Sequence, residues 1–84
     1  MKDNIFETKD KQLAPFLFTQ QDVSFVGVRD GGFTFYFQFT PAERCQQLVN
    51  DYMTRKAPLV QPKDLLDAVE TYRDRVFEMK DKNK

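Results

Sequence analysis

Apolar and polar residues alternate most strictly over residues 33–40, where every second position from the first is a phenylalanine. Side chains of a β-strand point alternately to its two faces, so this strand carries one strongly apolar face. The rings predicted to share it are those of Phe33, Phe35, Phe37 and Phe39. The β-compatible residues 23–29 precede Asp30-Gly31-Gly32, which indicates a β-hairpin. Two strands alone are marginal in water, so we expect other elements or a second copy of the chain to cover this face.

Two registers of the hairpin are open. If residues 30–31 form a two-residue turn, Phe25 lies opposite Tyr36 on the second face. A three-residue turn over 30–32 instead points Phe25 toward the phenylalanine face. The first register brings Ser24, Val26 and Val28 to the phenylalanine face, and the second brings Val23, Phe25 and Gly27 there. Under the first, the second face is a mixed surface that water alone would not favour, and its predicted partner-interface residues are Val23, Phe25 and Tyr36.

A short helix is predicted before the hairpin, because the apolar residues at 13, 14, 16 and 17 have helical spacing. Thr8 or Asp10 is its expected N-cap, and it should end near Thr19. Pro15 lacks the N–H that a helix interior needs, so we expect this helix to start late or bend. Residues 5–8 are compatible with a third strand beside the hairpin.

Two helices are predicted after the hairpin. Thr40, Pro41 and Glu43 have the spacing of an N-cap, a first helical residue and a capping box, so the second helix should run from there to about Arg55. Its apolar stripe is Cys45, Leu48, Val49, Tyr52 and Met53. Residues 57–61 are extended, with Leu59 and Val60 as anchors. The third helix starts at Pro62, and its stripe comprises Leu65, Leu66, Val69, Tyr72, Val76, Phe77 and Met79.

Composition narrows the class of protein. The chain has 84 residues, a net charge of zero and 40% hydrophobic residues, which predicts one domain over residues 1–84 and no broad attraction to nucleic acid or anionic membranes. No apolar run is long enough to cross a bilayer. A single cysteine excludes an internal disulfide and is consistent with a cytoplasmic location.

Candidate chemistry is sparse. The sequence contains no histidine, the commonest general base, and Cys45 falls on a predicted buried stripe, so we expect a packed thiol and no catalytic residue. Carboxylates at i, i+3 and i, i+4 on the third helix could hold a cation, but the basic residues among them favour a solvated face. We therefore predict neither a metal site nor a cofactor.

Nucleic-acid binding is the alternative function. The aromatic strand resembles sheets that stack unpaired bases, yet Arg29 is the only cation on the strands, so core packing is the favoured reading. A local basic surface would use Arg29, Arg44, Arg55 and Lys56.

One resemblance spans nearly the whole chain. Thr8-Lys9-Asp10, Leu13-Ala14 and Phe16-Leu17, followed by the aromatic hairpin and residues 59–65, resemble a group of short bacterial and phage proteins classed as a domain of unknown function. That group has a T-x-D-x-x-L-A-x-F-L opening and a V-D/N-P segment before the last helix. This chain departs from it at Pro15 and Gln61. The resemblance implies no activity, but it suggests a phage or mobile-element origin.

These observations predict an α+β domain with the order helix, β-hairpin, helix, helix, and a short third N-terminal strand as an option. We expect the second and third helices to cover the phenylalanine face. The predicted function is that of a small, non-enzymatic binding or accessory protein acting through protein–protein contacts. The chain is expected to form a homodimer through the free edge or second face of the hairpin.

Overall fold

A computed structural model describes residues 4–82 as a three-stranded antiparallel sheet with three helices, which confirms the predicted α+β class. The elements are β1 (Phe6–Thr8), α1 (Leu13–Phe18), β2 (Ser24–Asp30), β3 (Phe35–Thr40), α2 (Ala42–Met53) and α3 (Pro62–Lys82). The strand order is β1-β3-β2, so the aromatic strand is central and the optional third strand is present. Of the predicted domain over residues 1–84, positions 1–3 and 83–84 lie outside the described residues.

The pairing of β2 with β3 differs from both predicted registers. Phe25 pairs with Phe39, and Val28 pairs with Phe37. A β-bulge between Phe25 and Gly27 adds one residue to β2, so side chains three positions apart reach the same face. The first predicted register therefore put Val28 on the correct face, although opposite Phe33 instead of Phe37, and the second put Phe25 on the correct face. Neither register is right along the whole hairpin.

The hairpin turn is longer than predicted, and Phe33 lies in it. The Gly31 N–H donates to the Thr34 carbonyl at 2.9 Å, and the Gly32 N–H donates to the Asp30 carboxylate at 2.8 Å. Gly32 has a φ of 95°, a conformation that a residue without Cβ adopts at little cost. The Phe33 side chain is fully exposed at the tip, so the prediction that it belongs to the buried phenylalanine face is wrong.

The core lies between the phenylalanine face and the helices. Phe37 and Phe39 are fully buried, and the Phe18 ring at the end of α1 lies 6.2 Å and 5.3 Å from their centroids. From α3, Tyr72 stacks on Phe37 at 4.7 Å. The prediction that the second and third helices cover this face was therefore wrong in leaving out α1. The buried cluster consists of Leu13, Ala14, Phe16, Leu17, Val23, Phe37, Phe39, Cys45 and Leu48.

The N-cap position of α1 is Gln12 and not the predicted Thr8 or Asp10, but Asp10 bonds to the turn that leads into the helix. The Asp10 carboxylate accepts hydrogen bonds from the N–H groups of Gln12 at 2.7 Å and Leu13 at 3.1 Å. Thr8 supports this turn, because its hydroxyl oxygen accepts from the Asp10 N–H at 3.1 Å. Pro15 is the third residue of the helix, and proline is accommodated in the first turn of a helix. The proline is therefore tolerated, and its side chain is buried.

The start of α2 is capped from a distance and not by the predicted capping box. The Thr40 hydroxyl donates to the Asn4 carbonyl at 2.9 Å, and it makes no bond to the helix. The Asn4 side-chain oxygen accepts the Ala42 N–H at 3.2 Å. Pro41 lies one residue before the helix, at the N-cap position. The segment before β1 thus supplies the cap that a local sequence pattern assigned to Thr40.

The end of α2 is a left-handed turn at Arg55. The Arg55 N–H donates to the Tyr52 carbonyl at 3.2 Å, and the Lys56 N–H donates to the Asp51 carbonyl at 2.7 Å. This is the Schellman arrangement, which favours glycine at the position that Arg55 occupies with a φ of 64°.

The third helix begins at Pro62, as predicted, and it is the longest element. Its predicted apolar stripe is only partly covered. Tyr72 and Val76 of the stripe are partly buried against the core, whereas Leu66 and Phe77 are exposed. Ala68, which was not predicted to belong to the stripe, is buried.

We expect Phe37→Ala to lower the free energy of unfolding by about 3–5 kcal/mol, because it leaves a cavity in the core. The matched change Phe33→Ala should alter it by less than about 0.5 kcal/mol, because that ring is exposed. Urea denaturation of both variants measures the difference. Similar losses in the two would contradict the position of Phe33 in the turn.

We expect Arg55→Gly to raise the free energy of unfolding by about 0.5–1 kcal/mol. A residue with Cβ is strained at this φ, and the relief exceeds the extra entropy that glycine gives the unfolded chain. The same substitution at the helical residue Arg44 is the control and should destabilise the protein. A loss of stability in Arg55→Gly would contradict the left-handed turn.

Candidate interaction surfaces

The three predicted interface residues do not share a surface. Val23 is buried in the core, and Phe25 lies on the core face, with its ring centroid 4.9 Å from that of Phe18. Tyr36 is on the opposite face of the sheet, paired with Arg29. The prediction of a common interface for Val23, Phe25 and Tyr36 is wrong, because it relied on a register without the bulge.

The outer face of the sheet is polar and internally paired. Glu7, Gln38 and Arg29 lie on β1, β3 and β2, so this group crosses all three strands. The Glu7 carboxylate accepts from Arg29 Nε at 2.9 Å, from Arg29 Nη2 at 3.0 Å and from Gln38 Nε2 at 2.7 Å. The Arg29 guanidinium carbon also lies 4.4 Å from the Tyr36 ring centroid. The apolar surface predicted here for a dimer is not formed, because Val23 and Phe25 lie on the core side of the sheet.

The charges of this group stabilise one another. Hydrogen bonds from Arg29 and then Gln38 lower the pKa of Glu7 from its ordinary value, and the bond to Glu7 raises the pKa of Arg29. A carboxylate held in this way stays ionised at neutral pH and is a poor general base. The arrangement is therefore suited to joining the strands and not to acid–base chemistry.

The four predicted nucleic-acid contacts are dispersed. Arg29 is engaged by Glu7, and Arg44 Nε lies 2.5 Å from the Asp22 carboxylate. Arg55 and Lys56 are exposed beyond the other end of α2, about 16 Å of helix away from Arg44. The prediction of one basic surface from these residues is wrong.

The structure offers no accessible thiol within residues 4–82. Cys45 is fully buried, as predicted, and burial raises the pKa of its thiol. Over residues 4–82, no group of histidine, cysteine and acidic side chains is placed to hold a metal ion. On α3, Lys63 pairs with Asp67 at 2.9 Å and Arg75 with Glu78 at 3.2 Å, as the prediction of a solvated charged face requires.

An apolar groove, here called the α1–α3 groove, lies between α1, residues 57–60 and the first half of α3. Its volume is about 480 Å³, within the usual range of ligand-binding clefts. The Phe16 and Tyr52 rings, 5.2 Å apart between centroids, both line it. The lining residues are Lys11, Gln12, Pro15, Phe16, Tyr52, Ala57, Pro58, Leu59, Val60, Leu65 and Val69.

The chain after α2 builds one wall of this groove. The left-handed turn at Arg55 redirects the backbone, and the prolines at 58 and 62 keep the preceding residues out of the helical region. Val60 packs against the core, but Leu59 is fully exposed on the rim. The prediction that both residues anchor the linker is therefore right for Val60 and wrong for Leu59.

The sequence analysis identified neither the groove nor the exposed apolar residues of α3, although the width of the predicted α3 stripe pointed to them. The predicted stripe of α3 contains the adjacent pairs 65–66 and 76–77. Neighbouring residues on a helix differ by about 100° in direction, so such a stripe is wider than one packing partner covers. In the structure the outer members, Leu66 and Phe77, are 66% and 63% exposed.

Comparison with known proteins adds no assignment. A scan against protein-family models finds no match, and searches of curated proteins and of solved structures find none either. The resemblance to short bacterial and phage proteins stays a prediction. Among the helices of the described region, none has both the length and the apolar character needed to cross a membrane.

We expect Glu7→Gln to destabilise the protein at pH 7, because it removes the anion that Arg29 and Gln38 contact. The folded pKa of Glu7 lies below its reference value of 4.5, so the stabilising contribution is fully present above about pH 4.5 and is lost as the pH falls through the folded pKa. The gap in urea midpoint between wild type and variant should therefore persist at pH 6 and close on further acidification. A gap that widened in acid would contradict the pairing.

Proposed function

We propose that this protein is a non-enzymatic protein-binding module whose α1–α3 groove receives an amphipathic helix with acidic flanks from another protein. The observation that carries this proposal is an apolar groove with no acidic residue among the described residues that line it, on a chain whose acidic and basic residues are equal in number. Helix-in-groove recognition uses such a surface.

The charge at one end of the groove favours an acidic partner. Lys11 is the only charged residue that lines the groove. A smaller cavity of about 310 Å³ continues beyond it, lined by Lys11, Tyr72, Arg73, Val76, Phe77 and Lys80. Within residues 4–82, no acidic side chain lines this continuation either. A partner helix lying along α3 would place apolar side chains on the floor and acidic side chains near Lys11 and Lys80.

The exposure of Leu59 favours a protein over a small ligand. A ligand held within the groove would leave this rim residue in water, whereas a partner helix is broad enough to cover it. Catalysis is not favoured, because the ionisable side chains among the described residues that line the groove are those of Lys11 and Tyr52, with no carboxylate, histidine or cysteine beside them. Nucleic-acid binding is not supported by a comparable surface, because the four residues predicted to contact nucleic acid are dispersed over the protein.

The proposal is tested with a designed helical peptide that carries leucine at i, i+3, i+4 and i+7 and glutamate elsewhere. We expect the labelled peptide to bind the full chain and to weaken as salt is added, while a counterpart with lysine in place of glutamate does not bind. Shifts of backbone amide signals on titration should map to residues 11–16, 57–60 and 65–69.

Leu65→Glu should weaken peptide binding by about tenfold or more, because it places a charge in the groove. Val26→Glu is the matched control, since Val26 is exposed on β2, and it should bind as the wild type does. Equal binding of the two peptides, or binding only to phosphatidylglycerol vesicles or single-stranded DNA, would overturn the proposal.

A further inference from the structure

A second surface of α3 has the pattern of a helix-pairing seam, and it shares Arg73 and Phe77 with the smaller cavity beside the α1–α3 groove. Leu66, Glu70, Arg73 and Phe77 follow one another at intervals of four, three and four residues, the spacing of core positions in a coiled coil. All four side chains are exposed. The two apolar members leave more than half of their surface in water, as unpartnered seam residues do. These four residues are called the α3 seam.

The order of residues along the α3 seam is self-complementary. In either direction along the helix, the order is apolar, charged, charged, apolar. When the direction is reversed, the acidic residue takes the place of the basic one and the basic residue takes the place of the acidic one. When two copies of α3 are laid antiparallel about the midpoint between residues 71 and 72, Leu66 faces Phe77 of the second copy. Glu70 then faces Arg73 of the second copy. Two-fold symmetry repeats both contacts, which is the property of an isologous interface.

We propose that the α3 seam pairs with the α3 seam of a second copy of this chain in an antiparallel homodimer. The structure leaves Arg73 available for this contact, because none of the ion pairs formed within residues 4–82 includes it. The proposal moves self-association from the hairpin, whose outer face is polar, to the third helix. It goes beyond the proposed function, since Leu65 and Val69 of the groove are not seam residues, although Arg73 and Phe77 also line the smaller cavity beside the groove.

Charge complementarity favours a second copy over other occupants. A uniformly acidic partner would be repelled by Glu70, and a uniformly basic one by Arg73. A membrane surface would bring the Glu70 carboxylate into a region where a charge is costly. An antiparallel copy is matched at all four positions at once.

Charge reversal tests the pairing through the mass measured by sedimentation equilibrium. We expect the wild type to form dimers reversibly. Glu70→Arg alone and Arg73→Glu alone should each weaken the dimer by about a hundredfold, because like charges then meet across the axis. An equimolar mixture of these two variants should form a heterodimer, and the double variant carrying both changes should regain the homodimer.

The mixture separates loss of pairing from loss of folding, since an unfolded variant could not be rescued by a partner. Leu66→Glu should also weaken the dimer. Met53→Glu is the matched control, because Met53 is 73% exposed at the end of α2 and lies outside the seam, and this variant should keep the wild-type mass. A monomeric wild type at every soluble concentration, or a mixture that stays monomeric, would overturn the proposal. Neither result would affect peptide binding in the groove.

Discussion

Burial of Phe37 and Phe39 on the central strand is the contact on which the other elements depend. Both rings are fully covered. On one side they meet Phe18 of α1, and within the sheet they meet Phe25, whose ring centroid lies 6.0 Å and 5.7 Å from theirs. Phe25 reaches this position only because the bulge in β2 rotates it onto the core face. The bulge is therefore part of the packing, since without it either Phe25 or Val28 would face water.

This arrangement explains why α3 carries the open surfaces. The short helix α1 and the residues Cys45 and Leu48 of α2 fill most of the phenylalanine face. The third helix then contributes Ala68 and the stacked ring of Tyr72, and the rest of its wide apolar stripe stays uncovered. One flank of that stripe lines the α1–α3 groove and the other forms the α3 seam. Two neighbouring apolar surfaces, which we propose to be recognition surfaces, thus arise from a helix that is longer than the core beneath it.

The sequence predicted what depends on local pattern. Helix α3 begins at Pro62, Cys45 is buried, and the alternation of residues 35–39 marks the central strand.

The sequence did not predict the features that depend on contacts between distant parts of the chain. The cap of α2 comes from Asn4, and the bulge has no signature in a period-two pattern, so both registers failed. Phe33 fits the alternation but lies in a turn shaped by Asp30 and Gly32. The prediction that Val23, Phe25 and Tyr36 form an interface was wrong because the predicted register was wrong. The excess width of the α3 stripe, in contrast, could be seen in the sequence.

The central claim is that the alternating rings fill the interior while the ring at the hairpin tip does not. Incorporation of 4-fluorophenylalanine at all nine phenylalanine positions allows the shift of each ¹⁹F signal between H₂O and D₂O to report its contact with solvent. The structure requires almost no shift at Phe37 and Phe39, and a shift near that of the free amino acid at Phe33. Shifts at Phe37 and Phe39 as large as that at Phe33 would contradict this account of the fold and of the surfaces derived from it.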